Sequence, residues 1–392
     1  MIRFILKMLW SQRKKYYSIF TEQVLITIAL MICMVSFSIA FEKYRRPGLL
    51  DVSNQIYFSI HCSKMSNETF QKSYNSEKII VQKMKEKPYI INVTREIDLA
   101  PYLRSDNFYM GDSVQIKEQK RWVKIKYADE KAIDVFKIHL DEGSWFEGET
   151  LPDGSCPTIL TRQLVNSIVG ENKESLIGYR FTYRNRECTV IGIAAGLKQS
   201  AFDSSPEAVI FHSKYYYGMG TPSYIFKIKE GYVQDFYKDC LKEFQKLALE
   251  ESYITNISEM EISESKDRFE EILKITSQAT PTLFLIIFAF IGTFGLFWMQ
   301  SKKKAKEYAL QIAIGLAPHK LISNIVSESI IITLLAAVPS LIIAAFIYDF
   351  TVVHVIAIIA TILIMLLFAV FSAWYPAYKV SRIHPAEVLH YE

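Results

Sequence analysis

The residue types that support catalysis are present in this chain, but not at spacings that build a site. His61, His139 and His212 are scattered through a long polar middle and stand in no H-E-x-x-H pattern, the spacing that sets two zinc ligands on one helix face. There is no G-x-x-x-x-G-K-[ST] loop to cradle phosphates and no G-x-G-x-x-G turn for a dinucleotide. No G-x-S-x-G elbow raises a nucleophilic serine. The expectation is a non-catalytic chain that holds no metal and no cofactor. Of the five cysteines, Cys33 falls in an apolar run, and Cys62, Cys156, Cys188 and Cys240 fall in the polar middle at spacings that fit no metal site. Their pairing does not follow from sequence, and a domain of this size folds without staples, which favours buried free thiols. One carboxylate stands out. Glu328 follows Ser323, Asn324 and Ser327 at the edge of an apolar run. An acid inside a membrane is a functional candidate by default, and the weightier alternative is an interfacial residue that ties helices together.

The elements that would carry these residues are set by hydropathy. The 392 residues are 50% hydrophobic, and the excess is concentrated in four windows, 24–41, 281–299, 330–348 and 355–374. A bilayer core about 30 Å thick needs about 20 apolar residues of helix, and backbone in lipid must bond within its own segment. The four windows therefore read as transmembrane helices. The first is preceded by a long basic stretch and followed by no A-x-A site, so it reads as a retained helix rather than a signal peptide. Arg3, Lys7, Arg13, Lys14 and Lys15 precede it, and Lys302, Lys303, Lys304, Lys306 and Lys320 lie between the second and third windows. Lys379 and Arg382 follow the fourth, whereas loop 349–354 has no Lys or Arg. By the positive-inside rule both termini are cytoplasmic and the long polar middle is outside. The net charge of +4 sits largely in those inner loops, so it makes no case for nucleic-acid binding.

The fold class expected is an α+β membrane protein with four transmembrane helices, one plus three, and a large extracytoplasmic α+β domain between the first and second. Residues 1–22 form a cytoplasmic segment with Ile2, Ile5, Leu6 and Leu9 at helical spacing. Helix one is 23–41, the outer domain 42–276, helix two 277–300, a cytoplasmic segment 301–319, helix three 320–348, an outer loop 349–354, helix four 355–375 and a tail 376–392. Within the outer domain, strand 55–61, helix 76–87 and strand 89–97 match in order strand 223–229, helix 233–250 and strand 252–258. Residues 98–221 between them read as an inserted β-rich subdomain with strands 113–118, 122–127, 180–184, 187–194 and 208–211. A polar helix, 259–276, leads into the second window.

After that window the chain reads Lys302-Lys-Lys-Ala-Lys-Glu307-Tyr-Ala-Leu-Gln-Ile-Ala313-Ile-Gly315. This resembles the cytoplasmic segment of MacB/FtsX-like ABC permeases, a basic run before E-I-x-[IL]-R-x-A-[LI]-G-A. Glu307, Ala313 and Gly315 match, and Gln311 replaces the family's arginine. The end of the chain, Tyr375-Pro376-Ala377 … Arg382-Ile-His-Pro385-Ala-Glu387-Val-Leu389, is similar to the family's closing P-A-x-x-A-[SA]-x-[IL]-x-P-x-E-[AV]-L. Stretches around Phe136–Phe146, Leu160–Leu164 and Ile177–Ile193 resemble its periplasmic core domain.

The resemblance implies a membrane subunit that binds no nucleotide itself, with ATP and Mg on a separate cytoplasmic ABC ATPase. It also implies a second permease subunit in a homodimer or heterodimer, and a periplasmic adaptor or envelope protein outside. The place implied is the bacterial inner membrane. The function implied is conversion of ATPase motion into movement of the outer domain, to export or extract a peptide, drug or lipid-linked substrate. The alternative is a signalling scaffold that controls a cell-wall hydrolase or sensor. The ATPase-coupling candidates are Lys303, Lys304, Lys306, Glu307, Tyr308, Leu310, Ile312 and Gly315, the apolar ones entering an ATPase groove as a short helix. The C-terminal motif supplies Pro376, Ala377, Arg382, Pro385, Glu387 and Leu389.

Overall fold

A computed structural model of the chain describes residues 13–62, 67–103, 111–170, 175–216, 223–246, 253–348 and 351–382. The chain divides into two compact units, residues 43–271 and residues 1–42 with 272–392. Each is a consequence of its own pattern of apolar residues.

The first unit is built on one sheet. Its strands are β1 (Gln55–Cys62), β2 (Ile90–Ile97), β3 (Gly111–Ile116), β4 (Gln119–Ala128), β5 (Leu140–Gly143), β6 (Cys156–Thr161), β7 (Arg180–Tyr183), β8 (Arg186–Ala194), β9 (Ala208–His212), β10 (Ser223–Ile228) and β11 (Tyr253–Glu259). Among the described residues they follow the order β11-β1-β10-β2-β4-β9-β6-β8-β5, with β3 paired to β4 and β7 to β8. The β4–β9 and β6–β8 pairs are parallel and the rest antiparallel. Helix α2 (Asn67–Lys85) joins β1 to β2, and α5 (Val233–Lys246) joins β10 to β11. The two strand–helix–strand units thus interleave at one end of the sheet, in the order β11-β1-β10-β2. Ile80, Val81 and Met84 from α2 and Phe236 and Cys240 from α5 cover Ile56, Phe58, Ile60, Val93 and Phe226. At the other end α4 (Arg162–Val169) sets Leu164, Val165 and Ile168 among Ile125, Leu160, Val190 and Val209. A short α3 (Ala132–Phe136) supplies a third core with Leu99, Trp145 and Leu197.

The sheet unit holds elements that the sequence reading did not place. Strands β5 and β6 and helices α3 and α4 lie where no element was expected. Strand β6 is buried at every position, so it lacks the alternation that marks a half-exposed strand, and Pro157 disguises it further. Its pairing with β9 begins only at Thr158, so the proline's missing N–H is tolerated. The polar helix expected over 259–276 runs on into the second window, as that reading has it, and the two form a single element, α6 (Met260–Lys303).

The sheet unit buries several charges. Lys126 of β4 is fully buried and donates to the Asp98 carbonyl, with the Asp98 carboxylate 3.7 Å away. Glu96 accepts from Ser223 Oγ at 2.6 Å and from the N–H groups of Leu99 and Ala100. Glu77 of α2 is less well served. One carboxyl oxygen accepts from Ile60 N–H at 3.3 Å, and the other has no hydrogen-bond partner among the described residues. Burial pushes this carboxyl up to about 8, against weaker opposition from the Ile60 bond and Arg95. The folded protein therefore keeps a proton that the unfolded chain, titrating near 4.5, has already released. Stability should fall as pH rises between those two values. In thermal melts of the purified protein, Glu77→Gln should flatten that dependence and gain on the order of 2 kcal/mol relative to the parent at pH 8. An unchanged slope would contradict the assignment.

The second unit is helical: α1 (Arg13–Arg45), the C-terminal part of α6, α7 (Ala305–Ala313), α8 (Pro318–Ile347) and α9 (Val352–Ser381). Four helices among the described residues, α1, α6, α8 and α9, are long and apolar enough to cross a membrane. Their lipid-facing positions are large and apolar, as at Leu334, Phe346 and Leu367, while α8 and α9 bury Ala336, Ser340 and Ala344 and Ala357, Ala369 and Ala373. Small residues let helix backbones approach, which replaces the hydrophobic drive that lipid removes. Met31 and Val35 of α1 join Ala344 and Ala357 in one such contact. Polar links cross the same interfaces. Ser329 Oγ donates to the Ala369 carbonyl at 3.1 Å, and Thr333 Oγ1 to Gln23 Oε1 at 2.8 Å. Thr333→Val should cost about 0.5–1.5 kcal/mol in SDS-titrated unfolding of the bundle, and no change would show that the link is idle. Residues 1–12, most of the expected amphipathic N-terminal segment, lie outside the described residues, as do 349 and 350 of the outer loop.

Candidate functional site

The segment between α6 and α8 is shaped by a helix stop. Helix α7 ends where Leu316 N–H bonds the Gln311 carbonyl and Gly315 N–H bonds the Ile312 carbonyl. This is a Schellman pair of bonds. It needs a left-handed residue, and Gly315 supplies it with φ at +102°. Ala317 is extended and Pro318 occupies the first turn of α8, where its missing N–H costs nothing. The matched glycine is thus the residue that turns the chain back toward the bundle.

The coupling candidates then divide by face. Tyr308, Ile312 and Leu316 pack against Leu321 and Ile325 of α8 and Ala373 and Ala377 of α9. Lys304, the residue before α7, brings Nζ to 3.9 Å from Glu328 Oε1 of α8, with the two side chains only 14% and 10% exposed. Glu328 is therefore shielded, and it links α8 to the basic segment. The opposite face is open. Lys303, Lys306 and Glu307 are exposed, and so are Leu310 at 54% and Ile314 at 78%. Along α7 and its C-cap, residues 306/307, 310 and 314 recur at three and four, so they form one stripe, with Lys303 just before it at the end of α6.

The end of α9 completes the site. Pro376 and Ala377 are buried inside α9, and Arg382 lies with its guanidinium carbon 4.5 Å from the Tyr378 ring centre. Pro385, Glu387 and Leu389 lie outside the described residues. Sequence reasoning missed Trp298. Its ring stacks on Tyr375, centroids 6.1 Å apart, and the ammonium groups of Lys302 and Lys379 stand 5.6 and 4.8 Å from its centre. This cation–π cluster fastens the end of α6 to α9. The signal was available: an aromatic residue beside a basic run at a span's end marks a membrane interface.

The arrangement is a helical bundle with spans long and apolar enough to cross a membrane and a basic elbow between two of them, together with a mixed-sheet α+β domain: the class of a polytopic membrane protein with a large domain outside the bilayer. Residues 282–385, which take in the apolar part of α6, the elbow, α8 and α9, match the FtsX-like permease C-terminal family model. Among solved structures, the chain is similar to the periplasmic region of MacB from Actinobacillus actinomycetemcomitans, at 13% identity over 55% of this chain and 92% of that one, with a TM-score of 0.38. It is similar to the extracellular domain of the noncanonic ABC-type transporter YknZ from Gram-positive bacteria, at 12% identity over 52% and 100%, with a TM-score of 0.36. A domain of a permease protein from Porphyromonas gingivalis matches at 13% identity over 53% and 90%, with a TM-score of 0.35. No curated protein matches the chain.

Proposed function

We propose that this chain is the permease subunit of an ABC transporter, and that a separate cytoplasmic ATPase, carrying its own ATP and Mg, drives it. Two permease subunits share one ATPase dimer in this reading. The bundle lies in a bacterial inner membrane with both termini in the cytoplasm. The work done is movement of the outer domain, which expels or extracts a peptide, drug or lipid-linked substrate.

The observation that carries the reading is the elbow. Its inner face is occupied by its own bundle, while Lys303, Lys306, Glu307, Leu310 and Ile314 are left open. A stripe with two apolar residues flanked by charges suits a groove on a soluble partner. A push on such a docked elbow passes to α8 through Lys304–Glu328 and the Tyr308–Ile312–Leu316 contacts. Gentle purification of the intact protein should bring an ABC ATPase with it, and adding the permease should raise that ATPase's turnover. A preparation that carries no ATPase under any mild detergent would contradict the reading.

A further inference from the structure

Cys156 opens β6 and Cys188 lies in β8. The two strands run parallel, and these two residues are Cα partners in register. Neighbouring strands are about 4.8 Å apart, within the roughly 4.4–6.8 Å Cα spacing of disulfides. Partners in register also place their side chains on the same face of the sheet. Both side chains are buried, at 4% and 1% exposure, in one apolar cluster with Val190, Phe181 and Phe211. Cys240 sits in a separate core with Phe236 and Met84.

We propose that Cys156 and Cys188 form a disulfide in the mature protein, tying β6 to β8 and closing the loop that carries α4 and β7. The proposal rests on the reading that the sheet domain lies outside the cytoplasm, where disulfides persist. In the structure both are free thiols, Cys156 Sγ lying 3.7 Å from the Pro157 carbonyl and Cys188 Sγ 3.7 Å from the Arg186 carbonyl; the interaction between the neighbouring thiols lowers the Cys188 thiol and raises that of Cys156, so Cys188 is the thiol that ionises first. The Cys188 thiolate attacks the disulfide of a thiol–disulfide oxidoreductase and expels that protein's second sulfur as a thiolate. Cys156 then loses its proton and displaces the oxidoreductase sulfur from Cys188. Two electrons leave in the oxidoreductase, and the two protons that the cysteines lose are matched by the two that its thiolates take up as it becomes a dithiol. The exchange takes place before β6 and β8 close over the sulfurs.

The test uses the full chain. Cells are quenched in SDS with a polyethylene-glycol maleimide, with and without prior reduction, and linked peptides are mapped by mass spectrometry. The expected result is a Cys156–Cys188 peptide pair that accepts maleimide only after dithiothreitol, with Cys188→Ser releasing Cys156 to react without it. The reduced protein should also melt on the order of 10 °C lower, for a closed loop of roughly thirty residues. A Lys120→Cys variant labelled with a membrane-impermeant maleimide reports the compartment, since Lys120 is exposed. Label at that position from outside, with Cys156 and Cys188 both reactive before reduction, overturns the disulfide alone. No label from outside, with both thiols reactive, overturns the compartment reading and the disulfide with it.

Discussion

Reversing charge on the open face of the elbow, with Lys306→Glu and Ile314→Glu combined, should reduce permease-dependent stimulation of the partner ATPase by at least about ten-fold. That corresponds to a loss of about 1.4 kcal/mol of docking energy, modest for removal of an apolar anchor beside a charge contact. Insertion into the membrane and detergent stability should be unchanged, because both side chains face away from the bundle. Lys304→Glu should behave differently. Lys304 lies beside Glu328 in a shielded site, so reversal places two acids together and loosens the bundle itself. Leaving one charge of a shielded pair unopposed is strongly destabilising. The two variants separate docking from internal transmission: ATPase coupling falls with a sound bundle in the first, and with a weakened bundle in the second. Full coupling in the double variant would remove the elbow as the docking element.

Phe226→Ala should be the most damaging single truncation in the sheet unit. Phe226 is fully buried in β10, opposite Ile56 of β1 and Val93 of β2. Its ring meets Phe58 at 6.1 Å and Phe236 of α5 at 5.0 Å, both edge-on. It therefore touches both strand–helix–strand units at their junction. Truncating a buried phenylalanine costs about 3–5 kcal/mol in transfer and cavity terms, a fall in melting temperature on the order of 10 °C for a domain of this size. Phe226→Leu, which keeps most of the volume, should lose less than half as much. Equal losses in the two variants, or none, would show that the junction does not depend on this ring.

The four spans were legible because lipid demands a long apolar run and tolerates little else. The two strand–helix–strand units were legible through amphipathic helices set between short runs of strand-forming residues. The centre of the sheet was not. Strand β6 has no exposed face, so the period-two signal vanishes. Lys126 is buried in β4, where alternation alone would place a lysine in solvent. Such reversals are decided by a partner far along the chain, here Asp98. The elbow shows the same limit. Tyr308 with Ile312, and Leu310 with Ile314, each follow i, i+4 spacing, and the two pairs lie about 200° apart around a helix. Sequence offers all four to a partner, while packing keeps the first pair for α8 and α9. Lys304 and Glu328 could not be paired from sequence either, because the turn at Gly315 brings them together.

The account depends most on which side of the bilayer each unit occupies. In intact cells, cysteines introduced singly at Lys120, on the sheet domain, and at Lys306, on the elbow, can be challenged with a membrane-impermeant maleimide. Both positions are exposed. The account predicts labelling at 120 before lysis and at 306 only after the membrane is opened. Labelling at 306 in intact cells, or protection of 120 until lysis, would contradict it.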